Sequence, residues 1–383
     1  MKFLIPILVL VCFYVKHVRT LDCYWNSGSS YKYFSSKCPY EIVRGDIRDS
    51  LVKLDGCEPV SVWAVIRHGG RNPGKMYGEH MRSAIVVKDY VVSSHEKGNS
   101  SLCAQDVENL RKWQVDMDIF DKPIKLTKDG YQESQGIGQR LKQTFPKLLG
   151  NLVNNDYLIR PAHWPWIQDS ARGFIEGLNE QLIMQPSKTD FDVLVRSNPE
   201  LYKETDFHVE FQSKTRIQSR LGINITLTDT NITALYDLCR YTLSGQACKV
   251  SPWCALFTVE DFKVMEYVED LRIYYRNGYG TPMNKLLGQI TLTDLLRSFQ
   301  EVKRGKGRKI TTYLTHATVM AMVYTALDLF KDDALLTGSY KDPNRKWKSI
   351  SIFFFSVPAS ICWYISGLNK MFNAVLVLLC SHR

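Results

Sequence analysis

From Val60 to Ile66 the chain reads VSVWAVI, a run of strand-forming residues cut off by Arg-His-Gly-Gly-Arg. A short apolar run bounded by turn residues predicts a buried strand. Lys309 to Leu314 (KITTYL) has the same character, ends in Thr315-His316 and passes into an apolar helical pattern. DYLIR (156–160) predicts a short buried strand; WKSISIFFFSVP (347–358) and NAVLVLLC (373–380) predict two more. Thr127 ahead of Lys-Asp-Gly suits a helix entry, and Ile137, Leu141, Phe145 and Leu148 then recur at helical spacing. DSARGFIEGLNEQL predicts a helix capped by Asp169 or Ser170. EDFKVMEYVEDLRIYYR carries Phe262, Met265, Val268, Leu271 and Tyr275 on one stripe, which reads as core packing. Strands alternating with helices at both chain ends predict an α/β sheet with helices on its faces. The section from 186 to 285, richer in helical, aromatic and cysteine-bearing segments, predicts an inserted helical cap.

Composition narrows the class. The 383 residues are 45% hydrophobic and 23% charged, which is globular usage. Lys2 precedes an apolar stretch from Phe3 to Val15, followed by Lys16, His17 and Arg19. That pattern predicts a secretory signal peptide over residues 1–20, and no transmembrane segment is expected after it. Ten cysteines are present, and nine remain without Cys12 (10 − 1): Cys23, Cys38, Cys57, Cys103, Cys239, Cys248, Cys254, Cys362 and Cys380. In an oxidising compartment most would pair, and an odd count leaves at least one over. Asn99, Asn224 and Asn231 head Asn-x-Ser/Thr triplets, the acceptors for N-glycans. No pair of CxxC motifs occurs, so a zinc site is not expected; no cofactor is expected either. The net charge is +10, or about +7 without the signal's Lys2, Lys16 and Arg19 (10 − 3). A basic secreted protein suits an anionic ligand. The basic residues are dispersed, which argues against nucleic acid, and the densest run, Lys303 to Lys309, reads as a solvated loop.

Ligands of open α/β sheets collect beyond the carboxyl ends of strands. Two strands here end in histidine, at His68 in IRHGGRNP and at His316 in YLTHAT, each ahead of a turn and a helix. Helix N-termini favour anions, and Gly69 and Gly70 let backbone approach a ligand. Arg67 and Arg71 present forked donors suited to phosphate oxygens. A lone histidine at a strand end is ordinarily structural; two arginines and a histidine on a glycine turn suit phosphoryl transfer.

RHGGRNP resembles the RHGxRxP signature of the histidine acid phosphatases. The stretches from Cys239 to Gly288 and from Phe330 to Ile361 are similar to multiple inositol polyphosphate phosphatases, and the similarity covers nearly all of the mature chain. The resemblance implies a phosphoglycerate-mutase-like α/β core with a mainly helical cap, and the site between them. It also implies secretory-pathway residence, no metal, and substrates such as inositol hexakisphosphate or 2,3-bisphosphoglycerate. On this basis the core is expected over 21–75, 125–185 and 286–383, and the cap over 76–124 and 186–285. His68 would be the nucleophile, with Arg67, Arg71 and His316 stabilising phosphoryl charge. Two positions depart from the family's pattern. Thr318 stands where the family has the glutamate that protonates the leaving oxygen, and Trp166 where it has a third arginine. Arg160 and His163 lie nearby in sequence as possible replacements. Three readings compete: a weak phosphomonoesterase, a non-catalytic binder of polyphosphorylated ligands, and a structural or interaction protein reusing the fold.

Overall fold

The run that stops at the arginines is β1 (Cys57–Arg67), and it lies inside a four-stranded sheet. The computed structural model describes residues 23–24, 31–38, 57–187, 212–242, 251–350 and 374–382. In chain order the helices after β1 are α1 (Lys75–Ala84), α2 (Val87–Glu96), α3 (Ala104–Lys112) and α4 (Lys128–Thr144). Strand β2 (Tyr157–Pro161) follows, then α5 (Pro165–Leu178), α6 (Gln212–Leu221), α7 (Asp229–Tyr241), α8 (Val259–Asn277) and α9 (Met283–Lys303). Strand β3 (Ile310–Thr315), α10 (Ala317–Ala326) and β4 (Ala374–His382) follow, and shorter helical turns lie between these elements.

The strand order is β2-β3-β1-β4. β2, β3 and β1 run parallel, and β4 pairs antiparallel with β1. The central strands read as continuous apolar runs because both faces are covered: Val62 to Ile66 are fully buried. Register sets up the site. Arg67 pairs with Thr315 at the last rung, and the His68 amide donates to the Thr315 carbonyl at 2.9 Å. The next residue on each strand is therefore a histidine. Residues separated by 248 positions (316 − 68) meet because two parallel strands end level.

Most predicted elements appear, with three corrections. The helix with Ile137 and Leu141 is α4, capped by the Thr127 hydroxyl accepting from the Gly130 amide. It stops at Thr144, so Phe145 and Leu148 do not continue it. Pro146 follows, and the residue before a proline is excluded from helical backbone; Phe145 has φ −123° and ψ 57°. α5 begins at Pro165, ahead of the expected Asp169 or Ser170 cap, with Trp164 at the cap position. Proline suits the first helical position because its missing N–H has no partner to lose there. Ser170 is buried inside the helix, its hydroxyl donating to the Trp166 carbonyl at 2.8 Å. Residues 347–350 are not strand: Ser349 and Ile350 are helical, and Trp347 is buried edge-on against Tyr274 and Tyr279. The rest of that expected strand lies outside the described residues, as does the expected signal segment.

Phe262, Met265 and Leu271 of α8 are buried as the stripe requires, while Val268 and Tyr275 are half-buried. The Lys303–Lys309 run is a largely exposed loop. Two disulfides are described, Cys23–Cys103 and Cys239–Cys254, and Cys38 is a buried free thiol. Cys248 and Cys362 lie outside the described residues. Among the described residues, no helix is long and apolar enough to cross a membrane. The architecture is an α/β core sheet surrounded by many helices.

Candidate functional site

The loop after β1 is held in place by the start of α4. The Gly70 carbonyl accepts from both the amide and the hydroxyl of Thr127, each at 2.9 Å. The Gly70 amide donates to Glu133 at 2.8 Å, and the Gly69 amide to the Ser170 hydroxyl at 3.1 Å. A Cβ on Gly69 would sit 1.9 Å from the Gly130 carbonyl oxygen, so only glycine allows the loop to seat on α4. Asn72 fastens the far end, donating from Nδ2 to the Asp118 and Lys122 carbonyls at 2.9 Å.

That frame presents His68 in a defined form. Its Nδ1 lies 2.8 Å from the Gly69 carbonyl oxygen, which can only accept, so Nδ1 carries the proton. Burial, then Arg71, Arg67 and His316, hold its pKa well below the ordinary value. The ring is therefore neutral near pH 7, with the lone pair on Nε2. An imidazole so arranged is a nucleophile, not a cation. His316, 8% exposed, caps α10, and its ring meets His68 edge-on with centroids 5.6 Å apart.

Cations surround the pair. Arg67 donates to the Ser36 carbonyl at 2.8 Å, and burial and Arg71 bring its pKa down to about 10 against the pull of Glu133. Arg71 donates to the Asn72 carbonyl at 2.8 Å and lies 5.6 Å over the Trp166 ring. Trp166 is also 5.9 Å from the His316 ring and stacks on Trp164 at 5.0 Å, which in turn meets His163 at 4.6 Å. The structure thus brings together Arg67, His68, Arg71, His316 and Trp166. Arg160 is exposed on β2 beside Tyr313, so it does not replace a pocket arginine; His163 packs against Trp164. Thr318 is half-buried in the first turn of α10.

Sequence reasoning missed Lys37. Its ammonium lies 5.4 Å over the Tyr241 ring, and burial, then Arg67, Arg71 and Arg240, hold its pKa well below the lysine range. It also missed Glu133 and the structural use of Ser170. No motif marks these residues; each is placed by a contact distant in sequence.

Comparison with known proteins shows the family. The model of the histidine phosphatase superfamily (branch 2) matches residues 60–209 and 201–356, and the chain belongs to that family. Multiple inositol polyphosphate phosphatase 1 of Drosophila melanogaster is 29% identical over 346 residues, covering 82% of this chain and 73% of that protein. The Homo sapiens protein of the same name is 25% identical over 364 residues, covering 83% and 74%. Among solved structures, the phytase from D. castellii superposes with a TM-score of 0.63 at 19% identity, covering 85% of this chain and 76% of that one. The Bifidobacterium longum multiple inositol polyphosphate phosphatase in complex with inositol hexasulfate gives 0.57 at 15% identity, covering 84% and 87%. At these identities the structures speak for the fold.

Proposed function

We propose that this protein is a secreted phosphomonoesterase acting on inositol polyphosphates, or on 2,3-bisphosphoglycerate, through a phosphohistidine at His68. The observation that carries the reading is the Nδ1 bond from His68 to the Gly69 carbonyl, which leaves Nε2 free among Arg67, Arg71 and His316. The names of the relatives support the substrate class. Nε2 attacks phosphorus as the bridging P–O bond breaks. Arg67, Arg71 and His316 stabilise charge on the remaining oxygens. Water then attacks phosphorus, the P–N bond breaks, and phosphate leaves with Nε2 restored.

Turnover is weak in this reading. Thr318 has no proton acidic enough to donate, so the leaving oxygen takes its proton from water. A general acid contributes roughly 10²–10⁴ in rate. The core is assigned to 21–75, 125–185 and 286–383, and the cap to 76–124 and 186–285. Secretion goes with the signal-like N-terminus and the disulfides. Asn99 and Asn224 are exposed for glycans; Asn231 is half-buried, its Oδ1 accepting from the Thr228 amide in the cap of α7.

The test is phosphate release from inositol hexakisphosphate by the wild-type chain, His68→Ala and Thr318→Glu. A low wild-type rate, none for His68→Ala and a higher one for Thr318→Glu is the expected order. Failure of all three to release phosphate overturns the catalytic reading. The second reading, a non-catalytic binder of polyphosphorylated ligands, is favoured by Trp166 and Thr318 occurring together. Its signature is a ligand-induced rise in melting temperature without turnover.

A further inference from the structure

We propose that Trp166 is itself a ligand-contacting residue, its indole Nε1–H donating to an oxygen of the phosphate held by Arg71 and His316. The inference rests on the phosphate reading of the pocket and assigns the missing third arginine's place to a neutral donor.

Trp166 is the second residue of α5, which starts just past the carboxyl end of β2. That is the sheet edge where His68 and His316 emerge, and the first turn of a helix carries partial positive charge. The side chain is 6% exposed. Among the described residues, its Nε1 has no hydrogen-bond partner. A buried indole ordinarily finds an acceptor, because the N–H can only donate and leaving it unmade is costly. The groups walling the ring do not take up the bond: the His316 imidazole, 5.9 Å away between centroids, has a ring nitrogen able to accept, yet the indole N–H makes no hydrogen bond to it. Arg71, 5.6 Å over the ring, only donates, and Trp164, stacked at 5.0 Å, is likewise a donor. The Trp166 carbonyl already accepts from Ser170. A buried donor left without a bond beside Arg71, Trp164 and His316 suits an acceptor from outside the chain, and a tetrahedral oxyanion between Arg71 and His316 supplies it. The indole then contributes one hydrogen bond of fixed direction and no charge, where an arginine would contribute a fork and a positive charge.

The experiment is nuclear magnetic resonance of protein with ¹⁵N-labelled indoles, titrated with inorganic phosphate. His68 ring signals report independently on whether the pocket binds. The expected result is a downfield shift of one indole N–H signal, the one lost in Trp166→Phe. That variant keeps an aromatic face for Arg71, and it should bind phosphate about tenfold more weakly, the loss of one charge-assisted hydrogen bond. If His68 signals move while every indole signal stays still, the inference fails and the phosphate pocket stands; this readout needs no variant. Equal phosphate affinity of Trp166→Phe and wild type also overturns it. If neither His68 nor any indole responds at saturating phosphate, the pocket reading falls, and this inference with it.

Discussion

Two arginine clusters stand out among the described residues, and their surroundings shift the arginines in opposite directions. On α7 and α8, Arg240 donates to Asp237 and reaches Glu269 at 3.5 Å, Arg272 donates to Glu269 at 2.6 Å, and Arg345 donates to Asp270 at 2.6 Å. These carboxylates hold Arg240 and Arg272 more firmly protonated than a free arginine. Burial alone would raise Glu269, yet Arg272, Arg240 and Lys37 pull it down to about 2. At the end of β1, burial and Arg71 disfavour the Arg67 cation, and His68 is held neutral. Residue type does not distinguish the clusters; the balance of charge around each cation does. Where the protein provides carboxylates the arginines are structural. Where cations face each other, an anion from outside is the natural partner.

The sharpest way to break this contrast is to remove one arginine from each cluster. Arg345→Met leaves the fully buried Asp270 carboxylate without its closest cation, though Ser349 still donates to it from its amide. Breaking a buried pair from one side costs about 3–5 kcal/mol, to be read from urea denaturation midpoints. Arg71→Met should cost under about 1 kcal/mol, because it relieves repulsion on Arg67 and His68. It should also abolish any phosphate-induced rise in melting temperature. Similar losses of stability in both variants would end the distinction.

Next in size is catalysis. Thr318→Glu should raise kcat by about 10²–10⁴ with little change in KM, since protonating the leaving oxygen matters in the transition state. Trp166→Arg should lower KM and raise kcat together. The unmodified chain should do best on p-nitrophenyl phosphate, whose leaving group needs little protonation. If the double variant Trp166→Arg with Thr318→Glu folds but stays inert on that substrate, the His68 cluster is not a catalytic one.

Much of the frame was legible beforehand because it follows from local rules. β1 and β3 are apolar runs ended by turn residues, Thr127 is a cap with the right hydroxyl, and RHGGRNP is a contiguous motif. What was not legible depends on partners far along the chain. The parallel register that levels His68 with His316 is a property of two strands. The start of α5 was misplaced because Asp169 and Ser170 look like caps, while Pro165 and the buried use of Ser170 by Gly69 decided it. Lys37 carries no local signal. The Arg67 bond to Ser36 brings its segment against the loop.

Titration separates the clusters by sign. His68 is neutral in the fold and takes a proton in the unfolded chain below about pH 6.5. Stability should therefore fall as pH drops below that value, by at most about 1.4 kcal/mol per unit. His68→Gln should remove this dependence. Glu266, in the other cluster, is raised to about 7 by burial and by Asp270, against Arg345. It keeps its proton where the unfolded chain has lost it, so its contribution is full below about pH 4.5 and fades as pH rises towards 7. Glu266→Gln should flatten that fall. Urea midpoints at pH 5 and 7 for both variants measure the two signs, and equal signs would refute the assignment.

The smallest effect concerns the residue between the clusters. Lys37 feels Arg67, Arg71 and Arg240 as repulsion and Glu269 as attraction. Three cations outweigh one acid, which places it electrostatically with the loop after β1. Lys37→Met keeps the aliphatic stem against Tyr241 and removes the charge. It should leave the fold unchanged or stabilise it by up to about 0.5–1 kcal/mol, the size of a partly exposed charge interaction. It should weaken binding of inositol hexakisphosphate several-fold and make that binding less dependent on salt, because one fewer cation faces the anion. A membership in the structural cluster predicts the reverse: lower stability, through the loss of support for Glu269, and no change in ligand affinity. Melting temperatures with and without ligand at two salt concentrations decide between them.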